Sequence, residues 1–155
     1  LYLSTSYGWV SPALSEGDWN SSGMSDFTVG YKVANMGFDV FATYRYAPMA
    51  LAGSANDQAY RGVIEVHNFG GLGLWKIKDG LTAVGTAELG IAVVSLDSTD
   101  GLIIEEDLEA TGAVLSVGGG ADWKMGEKFN AGPRLYVGAG SATVIQLSGQ
   151  ATFFF

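Results

Sequence analysis

Val144-Ile145-Gln146-Leu147-Ser148-Gly149-Gln150-Ala151-Thr152-Phe153-Phe154-Phe155 alternates with a period of two up to the last residue. Ile145, Leu147, Gly149, Ala151, Phe153 and Phe155 fall on one face; Val144, Gln146, Ser148, Gln150, Thr152 and Phe154 fall on the other. Successive side chains of a strand point to opposite sides of its sheet. One uncharged, mostly apolar face backed by a largely polar one is the pattern of a strand between lipid and a polar lumen.

The same alternation recurs upstream. Strands are predicted over residues 1–10, 27–34, 38–46, 58–77, 81–96, 111–123 and 129–137, with the terminal strand as the eighth. Asn35-Met36-Gly37, Lys78-Asp79-Gly80 and Met125-Gly126-Glu127 read as tight turns. Residues 11–26, 47–57 and 97–109 read as long loops, and a short link covers 138–141. An even number of strands with short turns at one end and longer loops at the other predicts an all-β, eight-stranded antiparallel up-and-down transmembrane β-barrel. At 155 residues it forms a single domain. Two irregularities stand out. Asn68-Phe69-Gly70-Gly71 blurs the phase of strand four and predicts a bulge, and Pro133 predicts a bulge or an unpaired position in strand seven.

Composition agrees. Mean hydropathy is +0.22, yet no apolar run approaches the roughly 18–20 residues of a transmembrane helix. The apolar residues are instead dispersed at alternate positions. Cysteine is absent, which removes disulfides and thiolate metal sites. No basic n-region followed by an apolar stretch opens the chain, so a secreted protein would be seen here in its mature form. The formal net charge is −8 and the eight cations never cluster, which excludes a nucleic-acid footprint.

Charge placement says more than charge. Lys76, Lys78, Lys124 and Lys128 sit at or beside the short turns, and the long loops carry no Lys or Arg. On the alternation, Lys32, Arg45, Arg61 and Arg134 point inward, as do Asp39, Glu65, Glu88 and Asp122. An eight-stranded barrel has an interior just wide enough for side chains to fill. Charges there must pair, so these eight residues predict a closed, charge-paired lumen. A lipocalin-like soluble barrel would show the reverse, polar outside and apolar within. Phe38, Trp75, Trp123, Phe129, Phe153 and Phe155 predict one aromatic belt near the short turns. Trp9, Phe27, Tyr44, Tyr46 and Tyr60 predict a second near the long loops.

The whole chain resembles the OmpA/OmpX/OmpW class of small bacterial outer-membrane barrels, by strand count, loop asymmetry and the aromatic C-terminus. The resemblance implies an integral outer-membrane protein with both termini periplasmic and outer-membrane lipid around it. It also implies that Phe153 and Phe155 are the signal read by the barrel-assembly machinery. No cofactor is implied. Members include structural barrels, surface-interaction proteins and narrow conduits for small hydrophobic molecules. The expected function is a non-enzymatic barrel in envelope architecture or surface contact through residues 11–26, 47–57 and 97–109. The alternative is a hydrophobic ligand in an upper-lumen pocket of Phe41, Val84, Val94 and Val114.

Lipid-modifying barrels of similar size would need a nucleophile and a base. His67, the only histidine, reads as inward beside Glu65, but Phe69 stands where the deacylase-like pattern needs serine. No catalytic residue is therefore assigned. Asp97, Asp100, Glu105, Glu106, Asp107 and Glu109 form a solvated acidic stretch that lacks EF-hand spacing, so no metal site is assigned either. Leu102-Ile103-Ile104, Trp19 and Pro48-Met49-Ala50-Leu51 suggest apolar contact at the loop end. Gly118-Gly119-Gly120 either leaves space in the lumen or lets an opposing side chain cross.

Overall fold

The computed structural model describes residues 1–13, 18–55, 58–98, 108–140 and 143–155. Eight strands make the barrel: β1 (Tyr2–Ala13), β2 (Ser22–Asn35), β3 (Asp39–Ala55), β4 (Gln58–Lys78), β5 (Leu81–Ser98), β6 (Leu108–Lys124), β7 (Phe129–Gly140) and β8 (Thr143–Phe154). Asp18–Trp19 adds a short rung to the far end of β3, opposite Ser54 and Gly53. Each strand pairs antiparallel with its neighbours in the chain, and β1 pairs with β8 to close the sheet. A closed sheet leaves no unpaired edge.

The ladder is staggered. A path from Tyr2 through Gly30, Thr43, Gly70, Glu88, Ser116, Gly138 and Val144 returns to β1 at Pro12, ten residues along. Such a stagger tilts the strands by roughly 35–45°. The tight turns after β2 and β4 contain Gly37 (φ 86°) and Gly80 (φ 79°), a conformation that costs glycine nothing.

β1, β7 and β8 have 12 residues each, whereas β3 has 17, β4 has 21 and β5 has 18. About 9–11 tilted residues cross a hydrocarbon layer. One side of the barrel is therefore a tall wall that continues past such a layer. The loops predicted over 11–26 and 47–57 are largely part of this wall and of β1 and β2. β3 runs to Ala55, with Met49 and Leu51 buried inside it, and β2 begins at Ser22. The predicted tip Leu102-Ile103-Ile104 lies outside the described residues, as do Asp100, Glu105, Glu106 and Asp107.

One irregularity falls elsewhere, and the other takes the second of its two expected forms. The β4 ladder runs unbroken through Asn68–Gly71, and its shift comes between Lys76 and Lys78 at the turn. Pro133 produces no bulge. The β6–β7 register is the same at Gly120↔Arg134 and at Trp123↔Ala131, with the rungs between them missing. Proline has no N–H to donate there, and Arg134 Nη1 donates instead to Ala121 O (3.4 Å) and Pro133 O (3.1 Å).

Candidate functional site

The interior is built in tiers. At the short-turn mouth, Lys32 Nζ lies 2.6 Å from Asp39 Oδ1, and both side chains are partly exposed. The mouth opens into a recess of about 570 Å³ lined in part by Asn35, Lys76, Lys78, Lys124 and Phe154. The Lys76 ammonium, 2.5 Å from Asp79, holds that carboxyl below the usual carboxylate range. Next comes a small apolar layer of Tyr2, Phe41, Leu72 and Val84, with Tyr2 edge-on to Phe41 at 5.0 Å.

Beside and above it lies the charge network. Arg134 Nη2 donates to Asp122 Oδ1 at 2.7 Å, and each residue is 1 % exposed. Arg45 donates through Nε to Glu88 Oε2 (2.8 Å) and through Nη1 to Gln146 Oε1 (3.2 Å). Its guanidinium lies 4.3 Å over the Tyr136 ring and 3.7 Å from Asp26 Oδ2, which also accepts from Gln146 Nε2 (2.8 Å). A guanidinium supplies five donors in a fixed fork, so Arg45 can join two carboxylates and an amide at once. Gly118 and Gly120 make room for this packing. A Cβ on Gly118 would meet the Tyr136 ring at 2.4 Å, and one on Gly120 would meet Pro133 O at 2.0 Å and Arg134 at 3.1 Å. The glycine run lets side chains cross; it does not leave a channel.

Two of the eight expected lumen charges are elsewhere. In β4 the buried positions are Ile64, Val66 and Asn68, so Arg61, Glu65 and His67 project from the outer wall. Asp26, assigned by sequence to an exposed loop, is 4 % exposed inside. Moving the start of β2 from Phe27 to Ser22 would have exposed the alternation Met24, Asp26, Thr28 that carries it inward. Gln146 and Tyr136 were likewise missed as partners, although both lie on the inward phase of their strands.

Arg61 and Glu65 are outside because the upper barrel inverts. Above the charges, Val10, Met24, Ala47, Met49, Leu51, Ile64, Val66, Ala92, Leu96 and Val114 form a single apolar core within the barrel. An apolar interior with charged side chains on the outer wall is the arrangement of a soluble barrel, polar outside and apolar within. The inward placement of charge holds for the lower barrel and not for the upper. Tyr60 follows the same logic. It lies on the inward phase and packs against this core instead of joining the outer belt.

The predicted pocket does not form. Phe41 and Val84 belong to the lower apolar layer, Val94 and Val114 to the upper core, and the charge network separates them. Two spaces among the described residues that border the network measure about 20 and 10 Å³. One water needs about 10–15 Å³. No organic ligand fits either space.

Outside, Leu89, Ile91, Leu115, Val117, Leu135, Val137, Ile145 and Leu147 project from β5 to β8. Ring pairs flank this band. Phe38 stacks on Trp75 at 4.7 Å, and Phe129 lies against Phe153 at 4.8 Å at the short-turn end, where Trp123 and Phe155 also project. Trp9, Phe27, Tyr44 and Tyr46 lie on the outer face toward the other end.

No protein-family model matches the chain, and no curated protein sequence does either. Solved structures do. Neisserial surface protein A (NspA) is similar at TM-score 0.74 and 12% identity, over 99% of this chain and 96% of that one. Ail, the attachment invasion locus protein of Yersinia pestis, is similar at TM-score 0.63 and 13% identity, over 99% and 98%. Ail in complex with the heparin analogue sucrose octasulfate gives TM-score 0.60 at 12% identity, over 98% of both chains. The fold is thus that of the small eight-stranded outer-membrane barrels.

Proposed function

We propose that this chain is an integral outer-membrane barrel with a closed lumen, both termini periplasmic, that acts without catalysis through its outer end. One observation carries this: polarity inverts along the same strands. A charge-free outer band between two aromatic belts surrounds a charge-paired interior, and above it an apolar core within a mixed polar wall plugs the tube. A bilayer around the lower barrel and water around the upper wall account for both halves. The similarity to a neisserial surface protein and to an attachment invasion locus protein supports a role at the cell surface. Outer-membrane lipid is the surrounding partner. The barrel-assembly machinery reads Phe153 and Phe155, and the stretches 11–26, 47–57 and 97–109 would meet a surface partner.

Planar-bilayer recording tests the closed lumen. The purified protein is expected to give no stable pore, and porin-scale conductance would refute the plug. Migration on gels should be heat-modifiable, and a monodisperse detergent-free preparation would overturn the membrane assignment.

A second expectation separates this chain from the neighbour solved with a heparin analogue. The stretches 11–26, 47–57 and 97–109 hold no Lys or Arg, and their acids include Glu16, Asp18, Asp57 and those of 97–109. Polyanions need basic partners for charge-assisted hydrogen bonds. The protein should pass through immobilised heparin at physiological salt and should not hold phosphorylated lipid A once divalent ions are chelated. Retention on either by a variant with Lys76, Lys78, Lys124 and Lys128 changed to Gln would show a cationic surface at the outer end that the sequence does not supply.

A further inference from the structure

The outer wall of β3 and β4 carries a linked polar cluster at the upper edge of the apolar band. Four rings follow one another there. Tyr46 lies 5.0 Å from His67, His67 lies 6.3 Å from Tyr44, and Tyr44 lies 5.0 Å from Phe69. Tyr44 Oη and His67 Nδ1 share a hydrogen bond of 2.8 Å, and Tyr46 Oη donates to Glu65 Oε1. Tyr44, Tyr46, Glu65 and His67 are half-buried by one another, so the cluster is set before anything binds.

Its height follows from its neighbours. Below it on the outer face stand Phe69 and Leu89, paired across the β4–β5 ladder, and His67 pairs with Ile91. Above it stand Val63 opposite Ser95 and Arg61 opposite Asp97. The outer face changes from apolar to mixed polar at Glu65. Ten residues further down β4 stands Trp75, stacked on Phe38 in the lower belt. About ten tilted residues span the hydrocarbon. Glu65 therefore stands in the headgroup layer of the outer leaflet.

A carboxylate there faces the phosphates of the surrounding lipid. Tyr46 occupies one of its oxygens and leaves the rest of its acceptor capacity free for a donor. No Lys or Arg lies among the nearest outward positions on the flanking strands, which are Pro48, Ala50, Val93 and Ser95. Arg61, on the same strand, is four residues away. Acid and ring faces together favour a cation, which gains both ring attraction and charge-assisted hydrogen bonding. A primary ammonium offers three N–H donors to the carboxylate, whereas a quaternary ammonium offers none.

We propose that Glu65, Tyr46, His67 and Tyr44 form a lateral site for the primary ammonium of a lipid headgroup in the outer leaflet. The site rests on the membrane reading above and makes it specific. The ammonium would lie between the Glu65 carboxylate and the Tyr46 and His67 rings, with the acyl chains descending past Phe69 and Leu89.

The test uses the folded full chain in nanodiscs of phosphatidylethanolamine, phosphatidylcholine and phosphatidylglycerol in equal parts. Native mass spectrometry at pH 8 counts the lipid retained after detergent release. Phosphatidylethanolamine should be retained several-fold over the other two. Glu65→Gln, which keeps shape and removes charge, should bring retention down to the bulk ratio, as should Tyr46→Leu. Arg61→Gln should leave the preference intact. His67 ring resonances should shift on adding phosphatidylethanolamine to phosphatidylcholine nanodiscs in the parent but not in Glu65→Gln. Equal retention of all three lipids, a preference for phosphatidylglycerol, or an unchanged preference in Glu65→Gln would overturn the site. A chain that inserts normally without preference refutes only this proposal; a chain that fails to insert refutes the membrane reading beneath it.

Discussion

Replacing Arg45 by leucine should destabilise the folded barrel by about 3–5 kcal/mol, the usual effect of removing one partner from a buried charge cluster. Arg45 is 3 % exposed and is the centre to which Glu88, Asp26 and Gln146 converge. Its loss strands two buried carboxylates. Glu88 (3 % exposed) loses the bonds it accepts from Arg45, and among the described residues Asp26 keeps only Gln146 Nε2 as a charge-neutral donor. A double variant, Arg45→Leu with Glu88→Leu, should recover part of the loss, because it removes the worst uncompensated charge and Gln146 still serves Asp26. Guanidinium unfolding in detergent micelles, read from the heat-modifiable gel shift, measures both. If Arg45→Leu unfolds at the parent's midpoint, the network is hydrated and the lumen is open to water. A midpoint for the double variant below that of the single one would show that the stranded Glu88 is not the source of the cost.

The seam, the strand count and the phase of seven strands were legible in the sequence for a simple reason. In β1, β2 and β5 to β8, and in β3 up to Tyr46, the outward residues alternate with mostly small or polar inward ones, such as Ile145 with Gln146 or Leu115 with Ser116. One rule, apolar outside, covers them. β3 and β4 are longer than a bilayer needs, and the rule reverses part-way along them. Read with a single rule, Arg61 and Glu65 had to point inward; read with two, Ile64 and Val66 do. The crossover was visible at Asn68-Phe69, where the polar residue changes face, but it looked like a bulge. A register slip of one residue moves every side chain to the other face, so the error carried His67 and Tyr60 with it. The loop boundaries failed for a related reason. Pro48, Gly53 and Ser54 are turn-forming residues, and only the partner strand shows that Met49 and Leu51 between them fill a core. The individual ion pairs were beyond the sequence altogether. Alternation gives a side, while the choice of Arg134 for Asp122 depends on a stagger that no single strand reveals.

The inversion can be tested at two adjacent residues. Ile64 is 0 % exposed within the upper apolar core, whereas Val63 is 42 % exposed on the outer wall above the cluster of rings. Ile64→Asp places an unpaired carboxylate among Met49, Leu51 and Val66. A buried charge without a partner costs several kcal/mol, a large share of the roughly 5–15 kcal/mol that holds a domain folded. The variant should fail to give the compact gel form or should unfold at far lower denaturant. Val63→Asp adds the same charge one residue away, on a face that meets water, and should stay within about 0.5 kcal/mol of the parent. Had β4 the opposite phase, Ile64 would project outward and Val63 would fill the core, and the two outcomes would exchange. Equal tolerance of both would mean that water fills the upper barrel and that the plug above Arg45 does not exist. Equal loss would mean that hydrocarbon reaches Val63, which would bury the Glu65 carboxylate in the bilayer and leave no headgroup layer at the Tyr46–His67 cluster.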